Sequence, residues 1–154
     1  TTVYINLLDV NDNDPAFERD RYYTFVWEGV PIGTFVTQIT ATDADSGKNS
    51  RLLYDITSGN PDGAFIIDPP STGIVKTRRG IDRESRDVYR LVISARDSAD
   101  IPRSASVILK VHVFDANDNA PEFVGLDDVV VVKEGCSPIG SEVFTVRAAD
   151  RDGG

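Results

Sequence analysis

The chain carries an internal repeat. Asp9-Val10-Asn11-Asp12-Asn13-Asp14-Pro15-Ala16-Phe17 recurs 106 positions later as Asp115-Ala116-Asn117-Asp118-Asn119-Ala120-Pro121-Glu122-Phe123. Glu28-Gly29 recurs at the same offset as Glu134-Gly135. One extra residue near Cys136 then carries Pro31-Ile32-Gly33 onto Pro138-Ile139-Gly140, and Asp43-Ala44-Asp45 onto Asp150-Arg151-Asp152, an offset of 107. Four motifs in one order at one spacing define a structural unit that the chain uses more than once. Length alone, at 154 residues, would suggest about one domain. The repeat predicts instead one complete unit over 14–119, including its linker. Residues 1–13 are then the closing strand and linker of a preceding unit, and 120–154 the first strands of an incomplete following one.

Between the motifs the sequence alternates with period two. Tyr89, Leu91, Ile93 and Ala95 interleave with Arg90, Val92, Ser94 and Arg96, and Val107, Leu109, Val111 and Val113 interleave with Ile108, Lys110, His112 and Phe114. Leu52, Tyr54 and Ile56 interleave with Leu53, Asp55 and Thr57. Alternation rich in β-branched and aromatic residues reads as strands with one face to a core and one to solvent. Breaks rich in Gly, Pro and Asp fall at 29–33, 43–49, 58–63 and 68–73. Strands are expected at about 22–28, 34–41, 51–57, 64–67, 74–79, 88–96 and 105–114, and no window carries a helical stripe. The expected fold is all-β, a seven-stranded antiparallel Greek-key sandwich of immunoglobulin-like kind, in tandem. Residues 1–8 repeat the pattern of the last strand and are expected to close the previous sandwich. Two strands in 120–154 are too few for an independent core, so both ends are expected to be trimmed or ordered only by what they lean on.

Charge narrows the function. The chain carries a formal net charge of −9, which argues against nucleic-acid binding, since phosphate contacts need clustered Lys and Arg. No stretch approaches the roughly 20 apolar residues of a membrane-spanning helix. The opening residues lack a basic stretch followed by an apolar run, so no signal peptide is expected and the chain reads as an excised segment. Its acids are 19 Asp and 6 Glu. Helix-surface acidity would favour Glu, so the bias points to turns and metal sites.

Sorted by position, the acids fall in the connections, at the two poles of an elongated sandwich. Glu28 ends the first strand, and Asp82-Arg83-Glu84 and Asp115–Asn119 lie near one pole. Asp43, Asp45, Asn49 and Asp97 gather at the other, beside Asn11–Asn13. Packed carboxylates repel unless something neutralises them. Calcium, with six to eight oxygen ligands in flexible geometry, suits Asp and Asn on turns. Zinc would want His or Cys, of which there is one each, His112 and Cys136. Magnesium would want fewer protein ligands and a phosphate. An EF-hand fails on position: Asp14 stands where Gly is needed and Asp20 where Glu is needed, and the second copy has Ala120 and Leu126.

Asp-x-Asn-Asp-Asn-x-Pro-x-Phe, Ala-x-Asp-x-Asp-x-Gly at 41–47, Phe65…Asp68…Gly73-Ile74, Asp82-Arg83-Glu84 and Tyr-x-Leu-x-Ile-x-Ala-x-Asp at 89–97 together resemble the extracellular repeats of the cadherin superfamily, over essentially the whole chain. The resemblance implies tandem sandwiches with calcium ions at each junction, in the extracellular part of a plasma-membrane protein. It implies that one junction uses Glu28, Asp82 and Glu84, the Ala116 carbonyl, Asn117, Asp118, the Asn119 carbonyl, and Asp150 and Asp152. The other would use the Val10 carbonyl, Asn11, Asp12, the Asn13 carbonyl, Asp43, Asp45, the Asn49 carbonyl and Asp97. The implied function is calcium-dependent cell–cell adhesion, with another cadherin ectodomain on the same or an opposing cell as partner. Membrane attachment would come only through segments outside this chain. A passive force-bearing spacer that touches no partner is the alternative.

The remaining residues point to no chemistry. Cys136 is alone, so it forms no disulfide within the chain, and a catalytic thiol would want a nearby His. No Asn-x-Ser/Thr glycan acceptor occurs. Trp27 lies inside the chain and reads as a strand residue beside a ligand Glu. The motif around Glu28 is Trp-Glu-Gly rather than the Pro-Glu-Asn common in the family, so only Glu28 itself carries over. His112 shares the outward face with Lys110. Paired carboxylates at Asp43/Asp45 or Asp82/Glu84 could serve glycoside hydrolysis only across a substrate cleft, and no enzyme activity is expected.

Overall fold

The computed structural model describes residues 2–125, 139–140 and 142–152. Expectations that fall on Glu134, Gly135, Cys136 and Pro138 lie outside the described residues. The chain divides into two units, Thr1–Phe114 and Asp115–Gly154, and the first holds the sandwich.

Nine strands of the first unit follow in order: β1 Ala16–Phe17, β2 Arg21–Trp27, β3 Phe35–Gln38, β4 Ala41–Thr42, β5 Leu53–Ser58, β6 Phe65–Ile67, β7 Ile74–Thr77, β8 Val88–Arg96 and β9 Ser104–Phe114. One sheet has the order β2-β9-β8-β5 and the other β3-β7-β6, with β1 and β4 paired separately. The seven expected strands are these two sheets, in an all-β sandwich. One pair departs from the antiparallel pattern: β2 runs parallel to β9, from Arg21 beside Ile108 to Trp27 beside Phe114.

The alternation read from the sequence is the burial pattern observed. Leu91, Ile93, Leu109 and Val111 are fully enclosed, with Ile39, Phe65 and Val75 facing them from the other side of the sandwich. Each such side chain contributes on the order of 1.5–3 kcal/mol by leaving water. The Phe65 and Tyr89 rings meet edge-on at 4.9 Å.

Three expected elements differ. The strand over 34–41 is split, because Ile39 N donates to Gly73 O at 2.9 Å while Ala41 turns to pair with Phe17. The strand over 74–79 stops at Thr77, where the Arg78 and Arg79 amides both donate to Ala64 O. Residues 2–8 form no strand. A strand needs a hydrogen-bonded neighbour, and none pairs with this segment among the described residues. In the second unit, β10 Glu122–Val124 pairs antiparallel with β11 Arg147–Ala149.

Register fixes which acids share a pole. Trp27 stands beside Phe114, and Val88 opposite His112. Glu28, just after β2, and the turn just before β8 therefore lie at one end of the sandwich. Arg96 stands opposite Ser104, which carries Asp97 to the other end.

Candidate metal centre

At the first pole, Asp97 is 1% exposed, an extreme burial for a carboxylate. Its Oδ1 accepts the Ala99 amide at 2.9 Å, and its Oδ2 accepts the Arg103 amide at 2.9 Å and Asn11 Nδ2 at 3.1 Å. Burial pushes its pKa up, but these donors and the Arg103 charge outweigh it and hold the carboxyl below the usual aspartate value. Asn11 thereby ties segment 9–13 to the end of β8. The segment is also tied to the loop after β4. Asn13 donates through its amide to Asp45 Oδ2 at 3.2 Å and through Nδ2 to Asp45 Oδ1 and to Asp12 Oδ1, and the Asp45 amide donates to Asp43 Oδ1 at 2.9 Å. The Val10 carbonyl accepts the Asp12 amide. Asn49 is buried, and its side chain donates to Asp9 at 2.9 Å.

Two oxygens of this pole, Asn11 Oδ1 and Asp43 Oδ2, are buried without a hydrogen-bond partner. A buried acceptor left unmatched is costly. Unmatched oxygens among Asp12, Asp43, Asp45 and Asp97 fit a hard cation, for which every donor here is an oxygen. The residues present therefore fit calcium.

Two residues of this pole were not among the expected ligands. Asp9 accepts the Ser46 amide and Asn49 Nδ2, which lowers its pKa through the Ser46 amide first. Its signal was visible, since the repeated motif opens on Asp9 and again on Asp115. Arg103 donates from Nε to the Asn11 carbonyl at 3.0 Å and from Nη1 to Asp14 at 2.8 Å. No sequence pattern marked it.

At the opposite pole, Glu28, Asp82 and Glu84 each place a carboxylate oxygen within 4.8 Å of the others. Glu28 is 4% exposed, and its Oε2 accepts the Arg83 amide at 2.7 Å. Asp82 is held low, chiefly by the Ser85 hydroxyl at 2.6 Å. Glu84 is raised. A bond to its own backbone amide lowers it, yet desolvation, the Glu28 charge and a hydrogen bond with Asp82 prevail. Carboxylates crowded in this way, with one pushed towards its neutral form, would be relieved by a nearby cation.

The second unit repeats the first unit's geometry. The Asn119 amide donates to Asp152 Oδ2 at 3.1 Å, and Asn119 Nδ2 to Asp152 Oδ1 at 2.7 Å and Asp118 Oδ1 at 2.9 Å. The Asp152 amide donates to Asp150 Oδ1 at 3.0 Å. These are the bonds of Asn13, Asp12, Asp45 and Asp43, displaced by 106 and 107 positions. Asn117 is exposed and Ala116 half-buried.

The sequence matches the family model described as "Cadherin domain" over residues 22–114. Protein dachsous of Drosophila melanogaster is 43% identical over 155 residues, an alignment covering 100% of this chain and 4% of that protein. Cadherin EGF LAG seven-pass G-type receptor 1 of Mus musculus is 46% identical over 156 residues, covering 100% of this chain and 5% of that protein. Among solved structures, mouse cadherin-23 EC22-24 superposes with a TM-score of 0.87 at 36% identity, over 96% of this chain and 46% of that one. The chain thus spans about a twentieth of the two curated relatives.

Proposed function

This chain belongs to the cadherin family, and from that premise we propose that it is a segment of a calcium-dependent adhesion ectodomain. Calcium held at its acidic poles would stiffen the connections between successive repeats. The observation that carries the reading is the pole around Asp97, where Asn11 Oδ1 and Asp43 Oδ2 are buried without partners beside Asp45 and the buried Asp97. The ligands proposed there are the Val10, Asn13 and Asn49 carbonyls with Asn11, Asp12, Asp43, Asp45 and Asp97. Those proposed for the other set are Glu28, Asp82, Glu84, the Ala116 and Asn119 carbonyls, Asn117, Asp118, Asp150 and Asp152. Unit boundaries at 13/14 and 119/120 follow from the repeat.

The chain's own residues supply the mechanism. Asn13 and Asn119 hold an Asp pair each through three bonds, orienting oxygens that would otherwise rotate freely. Asn11 fixes segment 9–13 to Asp97, so the ligand set is assembled before the ion arrives. Bound calcium supplies the charge that lets these carboxylates stay ionised and close together. Extracellular calcium modules bind at about 10⁻⁴–10⁻³ M, so the stiffening is lost when the ion is depleted. A short connection without it leaves adjoining units free to move. The proposed setting is the extracellular face of a plasma-membrane protein, and the proposed partner is another cadherin ectodomain.

Scattering from a longer chain of intact repeats tests this. An extended rod with calcium and a flexible string with chelator are expected, and the same shape in both would overturn the stiffening role. Bead aggregation by that chain, with calcium and with chelator, separates adhesion from passive spacing.

A further inference from the structure

The outer face of the four-stranded sheet gathers cations that the poles do not use. Tyr23 on β2 stands beside Lys110 on β9, and Lys110 stands directly opposite Arg90 on β8. Like charges directly across an antiparallel pair destabilise a sheet, and neither Lys110 nor Arg90 forms an ion pair among the described residues. Two grooves share these two cations. One, of about 780 Å³, runs between the end of β5 with the following loop at 59–61 and Arg86; the other, of about 210 Å³, reaches Arg21, Tyr23 and Ile108. Together they form a furrow across β2, β9 and β8 that carries four cations and one acid, Asp20, on a chain of net charge −9.

The furrow is a built feature. Its loop wall lies so close to β8 that a Cβ at Gly59, whose φ is +79°, would sit 1.8 Å from the Arg90 carbonyl oxygen. At the other end Tyr23 is 62% exposed, and Phe25, in the next outward position, is 59% exposed.

We propose that this furrow binds a sulfated polysaccharide. Arg guanidinium forks suit tetrahedral oxyanions, and the exposed Tyr23 ring offers a flat surface for a sugar's C–H face. An acidic peptide is the weaker fit. Peptides gain much of their affinity by adding a strand at a sheet edge, whereas the main-chain groups of β9 and β8 under the furrow already bond to one another. Only side chains are offered: separated positive charges with an aromatic ring among them. None of the carboxylates assigned to either acidic pole lines the furrow, so the inference is independent of the calcium reading.

The test is retention of the 154-residue chain on immobilised heparin, fully desulfated heparin and polyglutamate, in calcium-containing buffer. Binding to heparin that weakens steeply with salt, and none to desulfated heparin, is expected. Arg90→Ala with Lys110→Ala should weaken heparin binding by about tenfold or more. Arg90→Lys with Lys110→Arg should preserve it, as should Arg78→Ala with Arg79→Ala, which removes the same charge outside the furrow. The proposal is overturned if unaltered chain ignores heparin at low salt or binds polyglutamate as tightly. Equal loss in the two alanine pairs would overturn it too, by showing that net charge alone decides.

Discussion

Asn11 Nδ2 donates to the buried carboxylate of Asp97 at 3.1 Å, joining two positions 86 residues apart. Through this bond the repeated motif is fixed to the end of β8. The same carboxylate also receives the amides of Ala99 and Arg103, so one side chain organises both the loop after β8 and the segment before β1. Replacing Asp97 by Ala strands three donors, and each buried donor left unmatched costs on the order of 1–3 kcal/mol. Partial exposure after relaxation reduces the sum. Asp97→Ala should lower stability in chelator by about 3 kcal/mol, and Asp97→Asn by less, measured as urea midpoints.

Glu28, Asp82 and Glu84 should reveal themselves by opposite effects with and without calcium. Mutual repulsion destabilises the three together, so Glu84→Gln should leave the chelated chain as stable as before or slightly more so. The same substitution removes a charged member of the proposed ligand set, and calcium affinity tracks ligand charge. Calorimetric titration should therefore show weaker binding. A variant that loses stability equally in both conditions would assign Glu84 a structural role only.

Stability in chelator should pass through a maximum as pH falls. Glu84 has a raised pKa, so it destabilises the folded chain at neutral pH, and that loss is relieved as it takes its proton. Asp97 and Asp82 have lowered pKa values. Their contribution is complete above the unfolded aspartate value and disappears as pH falls through their folded ones. A urea midpoint measured from neutral to strongly acid pH should rise slightly and then fall, and saturating calcium should remove the rise. A monotonic fall in chelator would contradict the raised Glu84.

Gly73 has φ +64°, and a Cβ there would lie 2.0 Å from the Ile39 carbonyl oxygen. The contact sits where Ile39 N donates to Gly73 O, between β3 and β7. Gly73→Ala should cost at least about 1–2 kcal/mol from backbone strain alone, with the added clash making it worse. Gly47→Ala, at a similar φ of +64° but with open space around it, should cost only the strain. Denaturation midpoints of the two variants compare them directly.

What the sequence could reveal was whatever depends on local period or on repetition. Leu91, Ile93, Leu109 and Val111 alternate in the sequence and alternate in burial. The Asn13 and Asn119 clusters were legible because the same letters recur at offsets of 106 and 107. Pairing was not legible. The parallel run of β2 on β9, the split at Ile39 and the absence of a strand over residues 2–8 all depend on which segment lies alongside, which no local pattern encodes. Arg103 escaped for the same reason, since its contacts with Asn11 and Asp14 span 92 and 89 residues. The row Tyr23, Lys110, Arg90 likewise exists only once register sets three strands side by side.

A calcium titration of the 154-residue chain decides whether the acidic poles are calcium sites. Heat and thermal midpoint are followed together, against the variant carrying Asp43→Asn and Asp45→Asn. Calcium should bind at about 10⁻⁴–10⁻³ M, with about 1.4 kcal/mol of added stability at ten times the dissociation constant. The variant should bind fewer ions. No heat and no shift in midpoint up to several millimolar would mean that the poles do not hold calcium.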